Sequence, residues 1–359
     1  MSTALTLPPI GVLDASAMTM AQAHLDRLTK PPGSLGRLEE LVVWLAGVTG
    51  DPAPRMSRRA VVVAAGDHGV ALAHGVSAYP REVTAQMVAN FLAGGAAISA
   101  LSAASGAEVL VLDAGVASPI PVVAAAPGVR FVAAPVRLGT GDITTGPAMT
   151  LDEAGEAIDR GMQVARTLID EGIELIAVGE MGIGNTTAAS AIVAALSGRP
   201  VAKVTGRGTG LDHDGWEQKV SAITRALEVN RPAAGDPLAL LAAVGGLEIG
   251  ALVGVMLAAA ARSVPIVLDG FITGAAALLA QELQPNLPRR LLAAHRSTEP
   301  GHPVVLDRLG LRPLLELDLR LGEGTGAALA ILMIDAAVRV RDRMATFESA
   351  NIAGRSAPG

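Results

Sequence analysis

Short apolar runs, each followed by a turn and an alanine-rich stretch, recur along most of this chain. The runs have the length and β-branched content of strands, and the alanine-rich stretches between them are long enough for helices. We predict strands over Ala60–Ala65, Val109–Asp113, Val129–Ala133, Ile173–Val178, Pro265–Asp269 and Leu314–Leu319. Because strands that alternate with helices usually pair in parallel, the pattern predicts an α/β fold: a mostly parallel sheet with helices on both faces.

Acidic side chains lie at the ends of several of these runs. In open parallel sheets, ligands bind beyond the carboxyl ends of the strands. The acids concerned are Asp67, Asp113, Glu180 and Asp269, with Glu323 on the loop after the last run. We therefore expect these five carboxylates to converge in one cleft.

The segment Glu180–Ser190 is a glycine-rich turn between an apolar run and a small-residue helix that extends to about Leu196. Such a turn points free backbone N–H groups and the positive end of a helix dipole at one place, which suits a phosphate. It matches neither the Walker loop nor the Gly-x-Gly-x-x-Gly fingerprint. The sequence thus favours a monophosphate site of another kind, and the alternative is a turn capped by Asn185 or Thr186 that holds no ligand.

A second glycine-rich loop, Arg320–Gly326, precedes a predicted helix from about Ala327 to Val338. Glu323 has glycine on both sides, so the backbone can approach a ligand closely. The alternative is an exposed glutamate favoured by the dipole of the following helix. Local sequence leaves both interpretations open.

Composition restricts the class of partner. Hydrophobic residues make up 50% of the 359 residues, charged residues 17%, and the net charge is −6. These values favour a compact, heavily buried, oligomeric protein, and they argue against nucleic acid as a partner. There is no cysteine, which excludes disulfides and thiolate chemistry.

Two segments indicate where in the cell the protein is expected. Met1–Gly11 lacks the basic and apolar parts of a signal peptide, so the cytoplasm is predicted. Ala239–Ala261 is apolar apart from Glu248, but Gly245 and Gly246 divide it into pieces too short for a bilayer. Buried helices are predicted there, with no membrane span.

Four histidines lie where a metal site could form. His68 and His74 flank a loop near Asp67, and His295 and His302 flank another. Neither pair has the i, i+4 spacing of a helical zinc motif. No metal site is predicted.

The two glycine-rich loops combine with four further blocks: Lys30–Arg37, Ala65–Val70, Thr84–Phe91 and Leu268–Phe271. Together they resemble the nicotinate-nucleotide:dimethylbenzimidazole phosphoribosyltransferase family, from about residue 20 to Ile352. The resemblance implies a large Rossmann-like α/β catalytic domain at 41–334 and a small helical domain built from 1–40 and 335–359. It also implies a homodimer and no cofactor.

The resemblance implies a reaction as well. The family transfers the 5-phosphoribosyl group of nicotinate mononucleotide to 5,6-dimethylbenzimidazole, which gives α-ribazole 5′-phosphate for cobalamin. Nicotinate leaves as a neutral ring and needs no general acid, so one carboxylate base suffices. Glu323 matches the catalytic glutamate of the family.

Substrate contacts follow from the same resemblance. The 5′-phosphate is expected at Gly182, Gly184, Asn185, Thr186 and Thr187, with Gly206 and Gly208 as a second wall. Glu180 would orient the benzimidazole or the ribose, and Lys219 would balance the buried acids unless it is an exposed helix lysine. Ser77 and Gln86 correspond to residues that contact the base. Asp269 would reach the ribose hydroxyls or cap the turn that follows it.

Three other interpretations fit parts of the sequence. A non-catalytic nucleotide- or flavin-binding module would need only the first glycine-rich turn, and a transferase with a different acceptor, such as a phenol, would keep the same base. A pyrophosphate-dependent phosphoribosyltransferase would need paired acids after a strand. Val109–Val116 has one acid, which argues against that class.

Overall fold

The computed structural model describes residues 6–233 and 235–353. Within these residues one sheet has the strand order β3-β2-β1-β4-β5-β6, and every neighbouring pair is parallel. The strands are β1 (Arg59–Gly66), β2 (Glu108–Gly115), β3 (Val129–Ala133), β4 (Leu175–Met181), β5 (Ile266–Leu268) and β6 (Leu291–Ala293). The predicted α/β fold is confirmed.

The prediction of a strand at Leu314–Leu319 is wrong. That segment contributes only an isolated bridge between Leu315 and His295, and the sixth strand is β6. Asp318 has a left-handed φ of 53°, which interrupts the extended backbone that a regular ladder needs. The segment instead hydrogen-bonds to the end of β6 and the residues just beyond it, where the backbone N–H of Leu314 donates to Ala293 at 3.1 Å.

Helices connect and cover the strands. In chain order they are α1 (Ala15–Arg27), α2 (Arg37–Thr49), α3 (Val83–Leu92), α4 (Ala97–Ser105), α5 (Leu151–Asp170), α6 (Asn185–Ser197), α7 (Val201–Val204), α8 (His213–Asn230), α9 (Pro237–Val244), α10 (Leu247–Ala261), α11 (Phe271–Leu283), α12 (His302–Leu309) and α13 (Thr325–Arg343). Short 3-10 helices lie at Gly69–Leu72 and Leu287–Arg290.

The two faces of the sheet bury separate apolar layers. Ala60, Val62 and Ala64 of β1 point into the first layer, while Val61 and Val63 point into the second. Helices α5, α6 and α8 to α11 contribute to the first layer, and α1 to α4 with α13 contribute to the second. The period of two in β1 therefore divides the helices between the faces.

Helices α5 and α10 pack backbone to backbone in the first layer. A Cβ atom at Gly161 would lie 1.8 Å from the carbonyl oxygen of Ala251, and one at Gly254 would lie 1.9 Å from that of Ile158. Only glycine allows so close an approach.

The two ends of the described chain meet. Leu28 forms an antiparallel bridge with Thr346, and the backbone N–H of Thr29 donates to Ala345 at 2.9 Å. The division into a helical domain of 1–40 and 335–359 stays a prediction. Its residues 1–5 and 354–359 lie outside the described part of the chain.

Two apolar segments have the composition of membrane spans. Ala239–Ala261 divides as expected, since α9 ends at Val244 and α10 begins at Leu247. Val83–Ser105 is long and apolar enough to cross a bilayer by length and composition alone. However, α3 ends at Leu92 and α4 begins at Ala97, so neither helix reaches the roughly 20 residues that a span needs.

Candidate active site

The strand order determines where a ligand can enter. In an open sheet of order 3-2-1-4-5-6, the connections reverse direction between the first and fourth strands, and a crevice opens at their carboxyl ends. Here β1 leads into Asp67 and β4 ends beside Glu180. A Cβ at Gly182 would lie 2.2 Å from the carbonyl oxygen of Gly66, so the predicted phosphate turn lies in this crevice.

The turn presents free N–H groups. The N–H of Ile183 donates to Thr84 Oγ1 at 3.1 Å, and that of Asn185 donates to the Gly182 carbonyl at 3.2 Å. Within residues 6–233 and 235–353, the N–H groups of Gly184 and Thr186 have no protein acceptor. Both lie at the N-terminus of α6, where an anion is favoured.

The side chains at the start of α6 have different surroundings. The Asn185 amide donates to Glu180 Oε2. Thr187 is fully buried, and its hydroxyl lacks a partner in the part of the chain that the structure describes. The Thr186 hydroxyl instead lies against the second predicted wall, since a Cβ at Gly208 would lie 3.0 Å from it.

Lys219 is fully buried, which rules out an exposed helix lysine. Its Nζ donates to Thr186 Oγ1 at 2.7 Å, and a Cβ at Gly208 would lie 3.0 Å from both atoms. Burial lowers the pKa of Lys219 to about 8, against the opposing charge of Glu299. Glu299 also contacts Gly206, since a Cβ there would lie 2.0 Å from its Oε2. The acid whose charge acts on Lys219 is therefore Glu299.

A cavity of about 600 Å³ adjoins this wall. Its lining includes Gly206, Gly208, Trp216, Glu299 and Arg320. Glu180 and Glu323 lie outside the lining.

Glu180 is buried against the second glycine-rich loop. A Cβ at Gly322 would lie 2.3 Å from Glu180 Oε1. At Gly179, one residue before Glu180 on β4, a Cβ would lie 2.4 Å from the Gly324 backbone nitrogen. Two glycines thus let the Gly322–Gly324 loop lie directly on β4.

Asp269 holds the Gly322–Gly324 loop and the start of α13 in place through hydrogen bonds. Its Oδ2 accepts the N–H of Gly324 at 3.1 Å, and its Oδ1 accepts those of Gly326 and Ala327 at 2.7 and 3.2 Å. The carboxylate therefore caps α13. Within the described residues, α11, which follows Asp269 in the chain, has Gly270 at its N-cap and no side-chain cap, and the predicted contact of Asp269 with the ribose stays a prediction.

Glu323 lies at the centre of this loop in a strained conformation. Its φ is 63°, between Gly322 at 83° and Gly324 at 88°. Left-handed backbone in a residue other than glycine clusters at functional sites. The residue is only 6% exposed, and its Oε2 has no partner in the described residues. This burial excludes the exposed-glutamate interpretation.

The protonation of the three acids follows from their surroundings. Burial raises the pKa of Glu180 to about 8, and the charges of Asp269 and Glu248 add to the rise. Burial likewise raises the pKa of Asp269 to about 7, although its three N–H donors favour the ionised form. Of these two acids, Glu180 is therefore the one that holds its proton more tightly. Burial also raises the pKa of Glu323, and the hydrogen bond from the Ile98 N–H opposes that rise.

The two predicted base contacts lie on a loop and on α3. Ser77 Oγ is 3.2 Å from Thr209 Oγ1, so its loop contacts the Gly206–Gly210 segment. Gln86 is exposed on α3. Their role stays a prediction.

Three of the four histidines have hydrogen-bond partners, and His295 Nδ1 lies 3.7 Å from Asp269 Oδ1. His68 pairs with Glu248, His74 pairs with Asp142, and His302 Nδ1 accepts the N–H of Ser297. Within the described ranges, no group of three or more His, Cys, Asp or Glu is arranged to hold a metal ion.

Sequence reasoning missed Thr84 and the pairing of His68 with Glu248. One signal pointed to the pair: Glu248 is the single charge in a long apolar stretch. A lone acid in such a stretch predicts a buried partner.

Comparisons with known proteins agree over nearly the whole chain. A family model described as phosphoribosyltransferase matches residues 10–352. Proteins named nicotinate-nucleotide–dimethylbenzimidazole phosphoribosyltransferase are 54% identical in Chloroflexus aggregans, over 97% of both chains, and 53% identical in a Roseiflexus species, over 98% of both. The crystal structure of CobT from Thermus thermophilus superposes with a TM-score of 0.88 at 49% identity, covering 94% of this chain and 99% of that one. The chain belongs to the nicotinate-nucleotide–dimethylbenzimidazole phosphoribosyltransferase family.

Proposed function

We propose that this enzyme transfers the 5-phosphoribosyl group of nicotinate mononucleotide to 5,6-dimethylbenzimidazole and releases nicotinate. The product, α-ribazole 5′-phosphate, is used to assemble the nucleotide loop of cobalamin. One observation carries the site assignment: Glu323 presents a buried, unpartnered carboxylate oxygen, in the described part of the chain, beside Glu180 and the strand whose following turn can bind a phosphate. The names of the relatives supply the two substrates.

The donor is held by its phosphate. The free N–H groups of Gly184 and Thr186 and the dipole of α6 favour the dianion. Lys219 orients the Thr186 hydroxyl through a hydrogen bond of 2.7 Å. The ribose then extends from the phosphate towards the three acids.

The reaction is a displacement at C1 of the ribose. One acceptor nitrogen attacks C1 with its lone pair while the bond from C1 to the pyridinium nitrogen breaks, and the bonding pair returns to the nicotinate ring. The proton on the second acceptor nitrogen passes to Glu323. Attack opposite the leaving group converts the β configuration to α.

The neighbouring acids support this base. Asp269 holds the Gly322–Gly326 backbone, and thereby Glu323, through three N–H groups. Glu180 carries a proton at neutral pH and can donate a hydrogen bond to the ribose or the acceptor. Preorganised groups of this kind reduce the reorganisation that the reaction requires.

Homodimerisation and a cytoplasmic location are part of the proposal. Exposed apolar side chains support an interface, among them Val122 at 102% and Leu138 at 71% relative exposure. The lack of cysteine suits a reducing compartment.

The experiment is a chromatographic assay of purified protein with both substrates and no added metal. We expect nicotinate and α-ribazole 5′-phosphate in equal amounts, and neither product when one substrate is omitted. Nucleotide binding without product would instead favour a binding module or a different acceptor, and a panel of acceptors that includes phenols would separate these two.

Glu323→Gln tests the base. We expect kcat to fall by about 10²–10⁴-fold, with KM for the donor little changed because the phosphate contacts remain. Glu316→Gln is the matched control, since this nearby glutamate side chain is 71% exposed. Equal rates in the two variants would remove Glu323 from the mechanism.

A further inference from the structure

A buried pair that the proposed mechanism does not use lies behind the phosphate turn. His68 Nε2 and Glu248 Oε1 are 2.8 Å apart, and their side chains are 1% and 0% exposed. His68 lies just beyond β1, and Glu248 lies in the first turn of α10. Burying two ionisable groups is unfavourable unless their geometry serves the fold or the site.

His68 contacts the phosphate turn directly. A Cβ at Gly184 would lie 3.0 Å from the Cβ of His68. Gly184 has a φ of 97°, so its backbone conformation depends on glycine. The His68 side chain therefore forms the surface against which this residue of the turn rests.

Glu248 reaches the same turn through Gly66. A Cβ at Gly66 would lie 2.8 Å from Glu248 Oε2, and the Gly66 carbonyl is in close contact with Gly182. Gly246 leaves room from the other side, since a Cβ there would lie 2.6 Å from both Glu248 Oε2 and His68 Cε1. The pair is thus enclosed by glycines, two of them in or against the turn.

The electrostatics are consistent with this packing. Burial lowers the pKa of His68, but the carboxylates of Glu248 and Asp67 overcome that effect and raise it. The shift favours the protonated imidazole, which is the form that pairs with the Glu248 carboxylate. Glu248 Oε2 has no hydrogen-bond partner in the described residues, so packing and the single contact with His68 hold the carboxylate.

We infer that His68 and Glu248 are a positioning pair for the donor phosphate: they set the backbone of Gly182–Gly184 so that its N–H groups face the phosphate. This inference rests on the proposed function for the identity of the donor. The pair acts on the phosphate and leaves the acceptor and the proton transfer unaffected.

The test compares two ligands that differ only in the phosphate. Affinities for nicotinate mononucleotide and nicotinate riboside are measured by calorimetry, without acceptor, in the wild type and in Glu248→Gln. We expect the variant to lose about tenfold in affinity for the mononucleotide and to bind the riboside as the wild type does. Because no turnover is involved, the result is independent of whether the assay with both substrates succeeds.

Two further variants complete the test. His68→Gln keeps an N–H donor near the Nε2 position but removes the imidazole ring that lies against Gly184 and Gly246, so it gives the same phosphate-selective loss and serves if Glu248→Gln fails to fold. Asp335→Asn is the control: it disrupts a different ion pair, partly buried, with Arg59 at the start of β1, at the opposite edge of the sheet. Equal losses for both ligands, or no loss for either, would overturn the inference.

In steady-state assays the same selectivity separates positioning from catalysis. We expect KM for nicotinate mononucleotide to rise in Glu248→Gln, while KM for the acceptor and kcat at saturating donor stay within about twofold of the wild type. A uniform fall in kcat at unchanged KM would instead indicate a structural defect.

Discussion

The contact between α5 and α10 and the carboxyl edge of the sheet are both deeply buried. The first contains backbone and apolar side chains, whereas the second contains acidic side chains. Between the helices, backbone meets backbone across Gly161 and Gly254, with apolar side chains around them. At the carboxyl edge, equal burial encloses Glu180, Asp269 and Glu323. The first region gains stability from burial, and the second gives up stability to hold reactive groups in place.

The two regions affect stability in opposite directions because burial removes water from apolar groups in one and from charged groups in the other. Burying an aliphatic side chain stabilises a fold by roughly 1.5–3 kcal/mol, whereas burying an unpaired carboxylate destabilises it. Glu323 adds backbone strain of order 1–3 kcal/mol. Substitutions in the two regions should therefore separate stability from activity.

The largest effect is expected from Gly161→Ala in the helix pair. The new Cβ would lie 1.8 Å from the carbonyl oxygen of Ala251, so we expect a loss of about 3 kcal/mol or more in the free energy of unfolding. Activity per folded molecule should be unchanged. Denaturant unfolding and active-site titration measure the two quantities.

Gly155→Ala is the matched control on the same helix. A Cβ at Gly155 has nothing within 4 Å, so this variant should gain about 0.5–1 kcal/mol from helix propensity. Equal effects at the two glycines would contradict the close packing of α5 and α10.

A smaller effect, on both stability and activity, is expected from Asp269→Asn at the carboxyl edge. The amide oxygen can replace only some of the contacts with three N–H groups, so we expect a loss of about 2 kcal/mol in unfolding free energy. Because the cap also holds Glu323, kcat should fall as well, which a defect between the helices would not cause.

Asp236→Asn is its control, measured by the same unfolding and rate assays. Asp236 is an ordinary N-cap that accepts the N–H of Ala239 at 2.9 Å, and asparagine caps helices equally well. A fall in stability without a fall in kcat at Asp269 would show that the cap does not position the base.

The smallest effect, expressed per pH unit, is on the pH dependence of stability. Because the pKa of Glu180 is raised from 4.5 to about 8 in the folded protein, the folded state binds this proton more tightly than the unfolded state. Stability therefore falls as pH rises through that window, by at most about 1.4 kcal/mol per pH unit for one group.

In Glu180→Gln the fall between pH 5 and pH 8 should be shallower, as measured by urea unfolding at each pH. Asp269 and His68 shift the wild-type curve in the same direction, so the difference between the two proteins is the informative quantity. Parallel curves would mean that Glu180 does not hold the proton.

Local pattern predicted the elements that depend on neighbouring residues. The apolar period of β1, the glycines before α6 and the break before Leu247 are short-range signals, and the structure agrees with them. The resemblance to a known family directed attention to Glu323. Its burial and positive φ could not be derived from local sequence.

What local sequence did not predict are contacts between residues that are distant in the chain. Leu314–Leu319 has a strand-like composition, but Asp318 interrupts it, and the short run at β6 takes its place in the sheet. The contact of Asp269 with α13 was also not predicted: its carboxylate accepts the N–H of Gly326, 57 residues later in the chain. Such choices depend on which groups meet after folding, and a single sequence does not encode that information locally.

Helix α13 is synthesised after every strand of the described sheet. It supplies Ala327, Ile331 and Ile334 to the second apolar layer, and its N-terminal loop carries Glu323. A chain that stopped before Gly322 would include every strand of the described sheet, yet it would lack Glu323, the proposed base, and expose part of one sheet face. Since translation proceeds from the N-terminus, that face stays partly uncovered until α13 has been synthesised.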